Sequence, residues 1–190
     1  MGNSSKTEVS GEELYQLFAN GDECAFEKLV ELYEHELALF FLRNFVHDSD
    51  EAKFLVIETF AQLVISKGQF AGKSSLKTYI FTIGKNLAFR YLKMRKREQH
   101  VSFDEISETV SGGETPDTLV ERDENSRQLH KAMRGLKKEY RVVLELLHFQ
   151  GMSYLEAGEI MNKSEKQITN LAYRAKAALK KSLEKDGFEY

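Results

Sequence analysis

Cysteine, proline and tryptophan are nearly missing from this 190-residue chain, which holds one Cys, one Pro and no Trp. A lone Cys24 excludes an internal disulfide and any zinc site built on several thiolates. A lone Pro116 excludes a Pro-rich linker and argues against a loop-rich fold. No apolar run approaches the roughly 20 residues needed to span a bilayer, and no secretory apolar segment is visible. Met1-Gly2-Asn3-Ser4-Ser5-Lys6 begins like a myristoylation signal, but Lys6 stands where that signal takes Ser or Thr. The chain is therefore expected to be soluble and cytoplasmic. Signatures of catalysis are missing too. The five histidines, His35, His47, His100, His130 and His148, have no metal-ligand spacing, and Gly68 to Ser74 has the wrong spacing for a phosphate loop. Cys24 reads as a small buried residue, not a nucleophile. No enzyme activity, metal or cofactor is expected.

The net charge of −3 suggests no nucleic-acid partner. That average hides four blocks. Residues 1–66 carry 4 basic and 13 acidic side chains, and residues 67–97 carry 9 basic and none acidic. Residues 98–125 carry 1 and 9, and residues 126–190 carry 13 and 8. A charge run is often only a solvated face, but a stretch of this length without one carboxylate asks for an anionic partner.

Helical periodicity dominates, and no strand is predicted. Phe26, Leu29, Val30, Tyr33, Leu37, Phe40 and Phe41 recur at three and four residues over 23–45. Ala52, Leu55, Val56, Thr59, Phe60 and Leu63 repeat the pattern over 51–66, after a turn where Asp48 or Asp50 can cap. Residues 67–75 form a loop. Leu76, Tyr79, Ile80, Ile83, Leu87 and Tyr91 mark a third helix over 76–97. Its basic end, Lys93, Arg95, Lys96 and Arg97, suits the negative pole of a helix dipole. The stretch 98–125 has no helical period and reads as an acidic linker. From about 126 a helix resumes, apolar at Met133, Leu136, Tyr140, Val143, Leu144 and Leu147, until Gly151-Met152-Ser153.

The segment 153–183 has the grammar of a helix-turn-helix. Ser153 and Glu156 fit a capping box. Ala157 and Gly158 permit close approach, and Asn162 tolerates the left-handed turn. Ser164 can cap the second helix, with Gln167 as its partner. Lys166, Thr169, Asn170, Tyr173, Arg174 and Lys176 lie opposite the seam formed by Ile168, Leu171, Ala172, Ala175, Leu179 and Leu183. Asn and Arg make bidentate contacts with base edges, and Thr meets a thymine methyl. Lysines suit phosphates. The plainer alternative is a helical hairpin that only packs.

Four motifs stand in order: Ala25-Phe26-Glu27-Lys28-Leu29; Glu51-Ala52-Lys53-Phe54-Leu55-Val56-Ile57-Glu58-Thr59-Phe60; Phe70-Ala71-Gly72-Lys73-Ser74-Ser75-Leu76-Lys77-Thr78-Tyr79-Ile80, leading into Ile83-Gly84-Lys85-Asn86-Leu87-Ala88; and Gly151-Met152-Ser153-Tyr154 through Tyr173-Arg174-Ala175-Lys176-Ala177-Ala178-Leu179. In this order residues 25–97 resemble region 2, and residues 130–183 region 4, of bacterial RNA polymerase sigma factors of the extracytoplasmic-function (ECF) group. The resemblance implies an all-α chain of two small helical domains joined by a flexible acidic linker. Residues 1–22 would be an N-terminal extension and the start of the first helix, 23–97 region 2, 98–125 the linker, and 126–190 region 4. It implies docking of core RNA polymerase by Phe54, Leu55, Ile57, Glu58, Thr59 and Phe60. It implies capture of the opened minus-10 strand, with a flipped base, by loop 68–75 and the helix after it. Phe70, Lys73, Ser74, Tyr79, Lys85, Asn86, Arg90, Lys93, Arg95, Lys96 and Arg97 would serve there. It implies minus-35 recognition by Tyr154, Lys166, Thr169, Asn170, Tyr173, Arg174 and Lys176. An anti-sigma factor is a further expected partner.

The physical chemistry points the same way. Single strands take positive charge along the backbone and aromatic rings for the bases, and 67–97 interleaves Phe70, Tyr79, Phe81, Phe89 and Tyr91 with its cations. Some of these rings must be core, and Tyr79 and Tyr91 are expected to be partly buried. The chain departs from the family pattern at Phe54 and Ile57, where acidic and Gln side chains are usual. It departs also at Tyr79 for Trp, and at Thr82, Thr169 and Leu171, often basic elsewhere. Polymerase docking is expected to lean more on apolar contact, or this helix to be rotated slightly. Two other readings are a helix-turn-helix regulator with an unrelated helical sensor domain and a helical interaction module.

Overall fold

The computed structural model describes residues 9–101 and 124–185. Most of the acidic stretch 98–125, and with it the expected tether, lies outside the described residues. Among the described residues there are eight α-helices and no strand. They are α1 (Gly11–Ala19), α2 (Glu23–Asn44), α3 (Ser49–Ile65), α4 (Leu76–Val101), α5 (Glu124–Arg134), α6 (Lys138–Leu144), α7 (Tyr154–Met161) and α8 (Glu165–Lys185). A π-helical turn, Glu145–Phe149, continues α6.

Four expectations need correction. Helix α1 is separate from α2 and no mere lead-in. A complete capping box starts it: Ser10 Oγ accepts the Glu13 N–H at 3.2 Å and the Glu13 carboxylate accepts the Ser10 N–H at 2.9 Å. It buries Leu14, Tyr15 and Phe18. Helix α4 runs on to Val101, past the expected end at 97. The helix expected from about 126 onward is two helices, because Gly135 ends α5 and Lys137 restarts α6. Cys24 is exposed, since the period of α2 turns it outward beside the buried Ala25.

Helices α1 to α4 enclose an aromatic-rich core in which Phe40, Phe41, Phe81, Leu29, Leu37, Leu63, Leu76 and Ile80 are fully buried. Each such side chain contributes about 1.5–3 kcal/mol. Phe40 lies 5.1 Å from Phe81, centroid to centroid, tying α2 to α4. Gly84 is there for space: a Cβ on it would stand 2.8 Å from the Phe41 ring and 3.3 Å from Thr59 Oγ1. Asp48, not Asp50, caps α3, accepting from the Asp50 and Glu51 N–H groups.

The helix-turn-helix is built from local rules. Ser153 caps α7 in a capping box with Glu156, and Asn162 takes the left-handed conformation at φ 54°. Ser164 accepts the Gln167 N–H at 3.3 Å, and the Gln167 side chain accepts the Ser164 N–H at 2.8 Å. Gly158 makes the turn possible, because a Cβ there would sit 2.6 Å from the Lys163 carbonyl oxygen. That atom is backbone, held by the Lys163 N–H to Gly158 O bond at 2.9 Å, and cannot swing aside. Gly158→Ala is expected to destabilise the chain by about 1–3 kcal/mol through overpacking. Gly135→Ala, whose Cβ would meet nothing closer than 3.6 Å, should be near neutral. Thermal unfolding of the two variants checks the contrast.

Candidate nucleic-acid interface

Loop 67–75 is tied at both ends and exposed at its tip. Gly68 and Gly72 have positive φ, 85° and 66°, which only glycine takes without strain. The Gly68 N–H donates to Tyr15 Oη at 3.1 Å, and the Leu76 N–H donates to Glu12 Oε1 at 2.8 Å. Phe70 is half-buried between Tyr15 and Tyr79, with ring centroids 5.3 and 5.2 Å away. Lys73 is exposed at the tip, and Ser74 is half-buried beside it.

Along α4 the period separates core from surface. Phe81 belongs to the core, whereas Asn86, Phe89, Arg90, Lys93, Arg95, Lys96 and Arg97 are exposed. Arg95 pairs with Glu51 of α3. Tyr79 and Tyr91 are half-buried, as the spacing predicted. The Tyr79 hydroxyl donates to Ser66 Oγ at 3.4 Å. Burial, helped by a hydrogen bond to Glu51, pushes the Tyr91 hydroxyl up from its ordinary range. Lys85 does not face open solvent: its ammonium donates to the Ile160 carbonyl of α7, and burial lowers its pKa.

Helix α8 has an open face. Lys166, Thr169, Asn170, Tyr173, Arg174 and Lys176 are all exposed, and Tyr173 is 77% exposed. Ile168, Ala172 and Ala175 bury the opposite side. Tyr154 stands exposed at the start of α7. These side chains share the surface of one helix-turn-helix, as the spacing required.

Helix α3 divides the expected docking residues. Leu55, Thr59 and Phe60 are core and cannot face a partner, because they fall on the buried stripe of the helix. The Thr59 hydroxyl is spent on the Leu55 carbonyl at 2.7 Å. Phe54 and Ile57 are exposed and Glu58 is half-buried. Val64 and Ile65 continue the exposed stripe, and Ile65 is 76% exposed. The exposed row 54, 57, 61, 64 and 65 lies on one helical face. Reading motif positions without their period missed Val64 and Ile65.

The two helical halves share one buried core and are joined by polar contacts as well. Glu156 Oε1 of α7 accepts from Ser75 Oγ at 2.7 Å and from Thr78 Oγ1 at 3.1 Å. The Ser153 backbone N–H, with these hydroxyls, holds the Glu156 carboxyl down at about 2. Lys77 Nζ donates to the Gln150 carbonyl at 3.0 Å and pairs with Glu36 at 2.9 Å. Farther along, Arg43 pairs with the buried Glu145 at 3.4 Å, and Arg141 donates to the Asn44 carbonyl at 3.2 Å. Lys138 lies 4.5 Å over the Phe45 ring and 4.6 Å over Phe89. Burial, then the nearby Arg141 cation, pushes it down to about 8. Asn44 Oδ1, Arg141 Nε, Glu145 Oε2 and Gln150 Oε1 are buried in this region without a hydrogen-bond partner among the described residues. A buried polar atom left so costs about 1–3 kcal/mol.

Among the described residues no group of His, Cys, Asp and Glu could hold a metal, and no helix is long and apolar enough to cross a membrane. The family model for sigma-70, region 4, matches residues 126–179. The chain is 28% identical to the RNA polymerase sigma-H factor of Pseudomonas aeruginosa, over 94% of this chain and 96% of that one. It is 28% identical to the RNA polymerase sigma factor YlaC of Bacillus subtilis, over 85% of this chain and 93% of that one. It is 25% identical to the ECF RNA polymerase sigma-E factor of Escherichia coli, over 90% and 93%. Its fold matches that of the sigma factor RpoE, solved in complex with the anti-sigma factor NepR from Bartonella quintana. The TM-score is 0.67 at 24% identity, covering 84% of this chain and 96% of that one. It matches CnrH, solved with the cytosolic domain of CnrY, at a TM-score of 0.69 and 20% identity, covering 94% and 99%.

Proposed function

The chain belongs to the ECF group of the sigma-70 family, and from that premise we propose how its surfaces divide the work of a transcription initiation factor. The exposed stripe of α3, Phe54, Ile57, Val64 and Ile65, captures core RNA polymerase. Loop 68–75 and the outer face of α4 take the opened minus-10 strand. The exposed face of α8, with Tyr154, reads the minus-35 duplex. The observation that carries this reading is the stretch 67–97: it has no carboxylate, and its exposed Lys67 and Lys73 stand on one loop while Asn86, Arg90, Lys93, Lys96 and Arg97 stand exposed on α4. The chemistry of nucleotide transfer belongs to the polymerase, and this chain is its dissociable, non-catalytic subunit in the cytoplasm. A helix-turn-helix regulator with an unrelated sensor domain is disfavoured, since the relatives align through both halves.

Purified chain added to core polymerase is expected to start transcription selectively from a promoter library. Products no more selective than those of core alone would sink the reading. Within the library, Asn170→Ala or Arg174→Ala is expected to cost about 1–3 kcal/mol at minus-35 and to relax base choice. Binding to variant duplexes measures both. An anti-sigma factor is a further proposed partner, to be sought by co-purification from cells.

A further inference from the structure

Helix α1 touches the strand-capturing loop at two points that no sequence motif announced. Tyr15 is 1% exposed, yet its hydroxyl is not spent on the core: it accepts the Gly68 N–H, 53 residues away. Glu12, one turn earlier, reaches across to accept the Leu76 N–H, 64 residues away, the first of α4. Tyr15 also sets its ring edge-on against Phe70, and Lys67 lies 4.7 Å over the ring of Phe18. The loop is thus pinned at Gly68 and at Leu76, while Gln69, Ala71, Gly72 and Lys73 between them stay exposed. A free loop would lose conformational freedom on seizing a strand; one already pinned loses less.

We propose that Tyr15 and Glu12 are positioning residues for minus-10 recognition: by fixing both ends of loop 68–75 they hold it in its capturing shape before the single strand arrives. This rests on the reading of that loop as the strand-capturing element. Neither residue touches the strand. Tyr15→Phe removes one hydroxyl and keeps the ring, so the packing with Phe18 and Phe70 survives. Glu12→Gln keeps an oxygen for the Leu76 N–H, and Glu12→Ala removes it.

The test uses the full chain assembled with core polymerase and a randomised single-stranded DNA pool. The wild type is expected to enrich one base pattern. Tyr15→Phe and Glu12→Ala are expected to flatten that pattern and weaken single-strand affinity about three- to tenfold, the worth of one hydrogen bond, whereas Glu12→Gln retains it. Affinity for core polymerase and for minus-35 duplex should not change. Full enrichment by Tyr15→Phe would overturn the proposal. So would parallel losses in all three binding steps, which mark a merely structural role. If Tyr15→Phe fails to fold, the Glu12 pair decides by the same criteria. If the wild type binds no single strand, the loop reading itself fails and the clamp falls with it. A wild type that binds without base preference removes the pattern readout and leaves affinity to decide.

Discussion

Replacing Ile57 with aspartate is expected to weaken capture of core polymerase by roughly 30- to 1,000-fold, the 2–4 kcal/mol of a central interface residue. Ile57 is 65% exposed, so the substitution buries no charge in the free chain. Its neighbours on the stripe, Phe54 and Ile65, are 47% and 76% exposed. A soluble monomer gains nothing from displaying such a row, and a partner surface explains it. Phe54 is partly anchored by its contact with Tyr91, at 5.9 Å between ring centroids, which leaves Ile57 and Ile65 as the freer contacts. Leu55→Ala is the contrasting variant. Leu55 is 1% exposed, so its truncation should cost about 2–5 kcal/mol of folding stability before any polymerase is added. Titration of each variant with core polymerase, beside its melting curve, separates the two effects. Wild-type affinity for Ile57→Asp would move the docking surface off α3.

Much of this surface could be read from the chain because helices announce themselves by period. The buried rows of α2, α3, α7 and α8 fall where apolar side chains recur at three and four residues. The turn between α7 and α8 follows from Ser153, Glu156, Asn162 and Ser164, each acting on backbone within a few residues. Errors came where the deciding partner is distant or where a motif overrode the period. Leu55, Thr59 and Phe60 belong to a docking motif but lie on the inward stripe of their own helix. Helix α1 was legible in part, since Ser10 and Glu13 form a capping box, yet its purpose lies in Gly68 and Leu76, which no local pattern links to it. Lys85 reads as a phosphate ligand in a carboxylate-free run. Its partner is the Ile160 carbonyl, 75 residues on, and only the packing of α7 on α4 brings the two together. The same packing is invisible in a charge count: the lysine ammoniums of Lys77 and Lys85 meet backbone carbonyls across it, and the Glu156 carboxylate meets hydroxyls.

Single-stranded minus-10 DNA is accordingly expected to bind the Glu156→Ala chain at least about tenfold more tightly than the wild type, in the absence of polymerase. In the closed arrangement α7 lies on the start of α4, and Lys85, Ser75 and Thr78 are occupied by it. A site available only in an open minority binds with its affinity reduced by that fraction, so an open population of roughly one in ten or fewer gives the stated gain. Glu156 alone accepts two of the hydrogen bonds between α7 and the start of α4, so its truncation removes a large share of the polar contacts there, although buried apolar side chains of both halves also share one core. Removing any carboxylate also favours DNA through charge alone, and Glu159→Ala corrects for that, because Glu159 is on the same helix but exposed. Spin labels on the exposed Cys24 and on a Lys181→Cys substitution report the separation of the halves directly. The wild type should give one narrow distance, Glu156→Ala a broad and longer distribution, and added core polymerase the same lengthening in the wild type. The exposed stripe of α3 is uncovered in the closed chain, so polymerase can dock before the halves part and promoter DNA then meets both binding faces together. Equal single-strand affinity for Glu156→Ala and Glu159→Ala, with unchanged label distances, would show that α7 does not restrain α4.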